Sequence, residues 1–123
     1  MSTIRVDNFG PSAGGTTYSA RGIAKAWVNF DGDSAGAAAR NSLNVSSMTD
    51  NSTGYYTISF SNNFNTADYA TAAGCGETSQ GSTNYFTNCA DYNTAYVDVA
   101  IYSAAANPTD RDTVTTIITG DLA

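Results

Sequence analysis

The chain has 123 residues and a net charge of −6, from 5 Lys or Arg against 11 Asp or Glu, with no histidine. That length suits one domain, and the basic residues Arg5, Arg21, Lys25, Arg40 and Arg111 are scattered, which argues against a phosphate-binding patch for nucleic acid and against an anionic membrane surface. Without histidine neither a Ser-His nor a Cys-His nucleophile can be built, and two cysteines alone do not complete a zinc site.

Polarity comes from uncharged residues: 12 Asn, 13 Ser and 17 Thr, against Leu only at Leu43 and Leu122. With 8 Tyr and abundant Val and Gly, the balance favours strands and polar turns over helix. The start "MSTIRVDNFGPS" has no apolar core of a signal peptide, and no run reaches membrane-spanning length. Synthesis in a cytosol without membrane insertion is therefore expected.

In chain order, "STIRVDNF" alternates as a short strand or extended arm, and "GPSAGG" breaks it. "IAKAWVNF" carries Ala24, Ala26, Val28 and Phe30 on one face and Ile23, Lys25, Trp27 and Asn29 on the other. Both faces hold apolar residues, so a central strand is predicted, with Trp27 largely buried and Trp27→Ala then costing about 3–5 kcal/mol. "DGDSAG" is a turn, with Gly32 suited to positive φ and the aspartate bonding its own backbone. An EF-hand loop from Asp31 would need an oxygen ligand where Ala35 stands and a glutamate where Ser42 stands. A solvated turn is the better reading of Asp31 and Asp33.

"AAARNSLNVSSM" leans to strand, since Asn, Ser and Val oppose helix and no capping box is present. "SMTDNSTGYYTISF" is a hairpin, with Tyr56, Ile58 and Phe60 on one face of its second arm. "DYATAAG" is a short strand, and "CGETSQGSTNYFTNC" a long polar loop between Cys75 and Cys89. That loop lacks the lysine of a phosphate loop and the CxxC spacing of a redox pair. The cysteines are expected to lie close: thiols in a reducing cytosol, able to pair after release. "TAYVDVAIYSAA" sets Ala95, Val97, Val99 and Ile101 against Tyr96, Asp98, Ala100 and Tyr102; "NPTDRD" turns, and "TVTTIIT" closes the chain. The expected fold is all-β, a single small β-sandwich or barrel-like domain of seven or eight strands spanning residues 21–123, behind an N-terminal attachment arm of residues 1–20.

The run Ala26 to Tyr69, "AWVNF-DG", then "AR-NSLNVSSMTDNSTGYYTISF", then "NFNTADYA", resembles a module of bacteriophage tail-fibre and other virion appendage proteins. "STIRVD" is similar to the start of small marine-phage structural proteins. The positions that carry the likeness are Trp27, Val28, Asn29 and Phe30; Asn44, Val45, Ser46 and Ser47; and Thr49, Asp50, Gly54, Tyr56 and Phe60. The resemblance implies structural roles for these residues and no catalytic group or cofactor. It implies a non-enzymatic virion protein on the particle surface, made in the host cytoplasm: a capsid decoration protein or short head or tail fibre. It also implies threefold self-association and contact with other virion proteins such as the major capsid or tail protein. The alternative is a receptor- or glycan-binding fibre tip whose loop, residues 74–90, meets the host.

Overall fold

Strands with one apolar and one polar side must bury the apolar side against a second layer. The computed structural model of the chain describes residues 8–9, 18–19, 22–78 and 84–123. The protein is all-β, and no α-helix occurs among the described residues. Strands β1 (Asn8–Phe9) and β2 (Tyr18–Ser19) pair antiparallel as a short ladder. Apart from that ladder, the expected arm lies outside the described residues.

The body is two antiparallel four-stranded sheets. Its strands are β3 (Ala24–Phe30), β4 (Ala39–Leu43), β5 (Val45–Ser52), β6 (Tyr55–Phe60), β7 (Ala70–Gly76), β8 (Tyr85–Ala90), β9 (Tyr96–Ser103) and β10 (Thr113–Thr119). The first sheet runs β4-β3-β10-β7 and the second β5-β6-β9-β8. The fold is a small β-sandwich.

The core lies between the sheets and follows the period of two. Ala26, Val28 and Phe30 of β3 and Val114 and Ile118 of β10 meet Tyr56, Ile58 and Phe60 of β6 and Val97, Val99 and Ile101 of β9. Phe64 and Tyr69 close one end, with Phe60 and Phe64 edge-to-face at 4.9 Å. Thr116 is also buried there, and its hydroxyl has no hydrogen-bond partner among the described residues.

The turn from β4 to β5 carries the chain from one sheet to the other, and Asn44 makes it. Its φ of 56° is left-handed, which Asn tolerates better than most residues. Its side chain accepts from the Asn62 backbone N–H at 2.7 Å and donates to the Asn62 carbonyl at 3.0 Å. Ser46 follows at a register shift between Val45 and Ser47 and donates its hydroxyl to the Ser59 and Phe60 carbonyls. The "NVSS" segment is thus a corner followed by a bulge. Gly54, in the turn from β5 to β6, has φ of 72°, which a side chain would strain.

Three expectations are corrected. Trp27 is not part of the core: Ala26, Val28 and Phe30 take the inner face of β3, so period two sends Trp27 outward, where it is partly covered. The loss for Trp27→Ala is accordingly smaller than for a core residue. Gly32 does not adopt positive φ; its need for no side chain is steric, since a Cβ would sit 2.7 Å from the Tyr56 hydroxyl and 2.8 Å from the Arg111 carbonyl. The third concerns the segment between Cys75 and Cys89, which are free thiols. The segment between them is not one long loop: β7 continues through Gly76, and Tyr85–Ala90 forms β8. Cys75 stands opposite Val114 in one sheet and Cys89 opposite Val99 in the other. Thr87 donates to the Ala73 carbonyl at 2.9 Å where β7 and β8 meet. Each packs against the core as a small apolar side chain.

Candidate functional site

Three surfaces of the sandwich gather chemistry. The first is the turn that follows β3. Asp31 caps its own turn, accepting from the Asp33 N–H at 3.1 Å, and pairs with Arg40 at 3.0 Å. Asp33 is exposed; partial desolvation, then Asp110, Asp112 and Asp31 nearby, raise its pKa above the usual carboxylate value. Asp112 accepts from both the hydroxyl and the backbone N–H of Thr78, which lowers its pKa. Arg111 pairs with Glu77 and lies 3.4 Å over the Tyr85 ring. The Asp31, Glu77 and Asp112 carboxylates are thus engaged by turn or ion-pair contacts, and among the described residues no group of three His, Cys, Asp or Glu is arranged to hold a metal. Asp31 and Asp33 belong to a structural turn.

The network continues inward. Tyr56 is fully buried, and its hydroxyl lies 2.7 Å from Asp110 Oδ1 and 3.0 Å from the Gly32 carbonyl. Asp110 Oδ1 also accepts the Gly54 N–H at 2.6 Å. Burial, then the hydrogen bond to Asp110, drives the Tyr56 pKa far above its ordinary value, so the phenol stays protonated. The Asp110 carboxylate thereby ties the β5–β6 turn and Tyr56 to the loop before β10, with the Tyr56 hydroxyl set against the β3 exit at Gly32. Asp110 and Gly32 are residues that the sequence singles out only as turn formers.

The second surface is the outer face of the first sheet. Antiparallel register aligns Leu43 with Trp27, Trp27 with Ile117 and Ile117 with Ala72. This is one apolar row across all four strands, with Leu43 48% and Ile117 51% exposed. The strands of this sheet contain Lys25 and Arg40 but no carboxylate, in a chain of net charge −6. Alternate positions of β7, Ala70, Ala72, Gly74 and Gly76, are small and leave that side flat.

The third surface is the outer face of the second sheet, where an open groove of about 560 Å³ is bordered by β5, β6 and β9. The register shift between Asp50 and Ser52 releases Asn51 from cross-strand pairing. Asn51 donates to the Thr57 hydroxyl at 2.8 Å, which in turn donates to Asp98 at 2.6 Å. Tyr96 donates to Asp91 at 3.1 Å, and that bond raises the Tyr96 pKa. Tyr55 borders the groove and shares a hydrogen bond with Tyr102, their rings edge-to-face at 5.7 Å. Next to Tyr102 in register is Phe86, 63% exposed.

The residues of the resembling module divide between these places. Val28, Phe30, Tyr56 and Phe60 are core; Val45 packs against it; Asn44, Ser46 and Gly54 shape corners; Trp27 and Asn29 face outward; and Ser47, Thr49 and Asp50 pair with Ser59, Thr57 and Tyr56 across the hairpin. Among the described residues no helix is long and apolar enough to cross a membrane. Comparison with known proteins found no match: no family model, curated protein or solved structure aligns with this chain.

Proposed function

We propose that the chain is a non-enzymatic structural protein of a bacteriophage particle, exposed on the virion exterior as a capsid decoration protein or short head or tail fibre. It assembles with copies of itself, as a homotrimer, and contacts other virion proteins through residues 1–20. The resemblance of the Ala26–Tyr69 run is what points to a virion. The observation that carries the self-association is the Leu43–Trp27–Ile117–Ala72 row. A contiguous apolar row with Leu43 and Ile117 half exposed suits an interface. Its occupant is a second copy on grounds of charge. The turn after β3 carries Asp31 and Asp33, the loop before β10 brings Asp110 and Asp112 near them, and the outer face of the second sheet carries Asp91 and Asp98, so like surfaces there repel. The first sheet's strands have no carboxylate to repel a partner, and the Thr and Asn around the row suit a semi-polar contact.

The test is sedimentation of the intact chain beside Ile117→Asp. This position is half exposed, so the variant keeps the fold. The intact chain is expected to sediment as a trimer and the variant as a monomer. An intact chain that stays monomeric up to about 100 μM, or a variant that assembles equally well, overturns the assembly. Deleting residues 2–15 is expected to leave the body folded and abolish incorporation into particles; full decoration by the truncated chain overturns the attachment role.

A further inference from the structure

We infer that the groove on the outer face of the second sheet binds a neutral oligosaccharide, with Asn51, Thr57 and Asp98 holding hydroxyl groups and the Tyr55–Tyr102–Phe86 ledge taking the apolar face of a sugar ring. This site is on the opposite sheet from the self-association row, and of residues 74–90 it uses Phe86 of β8. It stands on the groove alone and does not depend on the virion reading.

Polarity is the first ground. A pyranose has an apolar C–H face and an edge of hydroxyls that both donate and accept. Its receptor therefore needs an aromatic surface beside groups of mixed hydrogen-bonding sense. Both are present and adjacent. The ledge offers Phe86 at 63% exposure, with Tyr102 its register partner and Tyr55 bonded to Tyr102. The groove offers a carboxamide, hydroxyls of Ser52, Thr57 and Tyr96, and the carboxylates of Asp91 and Asp98.

Arrangement is the second ground. Asn51 uses one of its two N–H donors on Thr57, and Thr57 donates to one oxygen of Asp98. The chain Asn51→Thr57→Asp98 fixes all three side chains before any ligand arrives, which reduces the entropy lost on binding. The capacity that remains is a donor and an acceptor on Asn51, one lone pair on the Thr57 hydroxyl and the second carboxylate oxygen of Asp98, a set that matches a pair of neighbouring hydroxyls. A bulge beside a site is a recurring way to re-aim a side chain, and Asn51 sits on one.

Charge is the third ground. Two aspartates and no cation line the groove, so uronic acids, sialic acids and nucleic acid are repelled. A ligand with an ammonium group would use the carboxylates but leave the amide and hydroxyl donors without acceptors. The groove's volume, about 560 Å³, falls within the range of small-ligand sites.

The experiment is amide and side-chain NMR of the labelled chain against neutral tri- to hexasaccharides built on glucose, galactose and mannose. Uronic-acid counterparts and a lysine-rich peptide run in parallel. A neutral saccharide is expected to shift Asn51, Thr57, Tyr96 and Asp98 and leave Trp27 and Ile117 unmoved. Asn51→Ala and Asp98→Asn are each expected to weaken binding by roughly tenfold or more, with native dispersion retained. Phe86→Ala weakens binding without changing which hydroxyls are recognised. Should Asp98→Asn disturb the sheet, the exposed Asn51 and Phe86 variants decide. The inference is overturned if no neutral saccharide shifts the groove at about 10 mM. It is also overturned if the uronic acids or the peptide bind as well, or if the shifts map elsewhere. Loss of self-association in Ile117→Asp with saccharide binding intact separates this site from the assembly face.

Discussion

Replacing Tyr56 by Phe tests the network that joins three loops at one end of the sandwich. The ring of Tyr56 is fully buried and packs edge-on against Phe30 at 5.0 Å, and a phenylalanine ring keeps that contact. Only the hydroxyl is lost. Its single proton serves one acceptor at a time, and Asp110 Oδ1 at 2.7 Å is both closer and more basic than the Gly32 carbonyl at 3.0 Å. Removing a hydrogen bond to a charged acceptor costs about 1.5–3 kcal/mol. Asp110 keeps the Gly54 N–H at 2.6 Å, so its carboxylate is not stranded, and the loss should stay within that range. For a domain of this size that lowers Tm by roughly 5–15 °C. Urea unfolding followed by Trp27 fluorescence measures it, with the slope m unchanged if only native stability moves. A double-mutant cycle with Asp110→Ala should return a coupling of at least about 1 kcal/mol. A loss under about 0.5 kcal/mol, or additive single effects, would refute the idea that this hydroxyl and carboxylate hold the loops together.

Thr116→Val should stabilise the protein by about 1 kcal/mol, because the hydroxyl is buried without a hydrogen-bond partner among the described residues; a destabilised variant in the same urea assay would mean the hydroxyl has an acceptor. Gly54→Ala should cost at least about 2 kcal/mol, since it meets both a left-handed φ and backbone atoms of Ile101 and Thr109 at 2.7 Å; native-like stability would show that the turn can rearrange. Alkali should unfold the protein. Burial pushes the Tyr69 pKa from 10.0 up to about 12, and Tyr56 goes higher still. The folded state thus holds these protons more tightly than the unfolded chain. The stability they contribute is complete below pH 10 and is lost as pH rises toward 12. Tyrosinate absorbance should rise in two steps, the second coincident with loss of near-ultraviolet circular dichroism. A single step at the ordinary value with native dichroism retained would contradict the burial.

Local pattern determined most of the strands. Period-two alternation in "YYTISF", "TAYVDVAIYS" and "TVTTIIT" marks β6, β9 and β10 and their inward residues, because only an apolar face can pay for ordering a strand. The hairpin at Thr53–Gly54 was equally legible from its turn chemistry. Where alternation was faint, composition misled: "YFTNC" is polar enough to pass for loop, yet pairs with β9 over its whole length and becomes the edge strand β8. Tertiary structure alone decided the rest. Both faces of β3 are apolar, so nothing local to "AKAWVNF" says which is inside. The choice falls on Ala26, Val28 and Phe30 because they fit the space left by Tyr56 and Val114, and Trp27 is sent out to meet Leu43 and Ile117. The groove was invisible for a related reason. Asn51, Thr57 and Asp98 belong to three strands, and their approach depends on register and on one bulge, which pairing between strands sets and no single segment encodes.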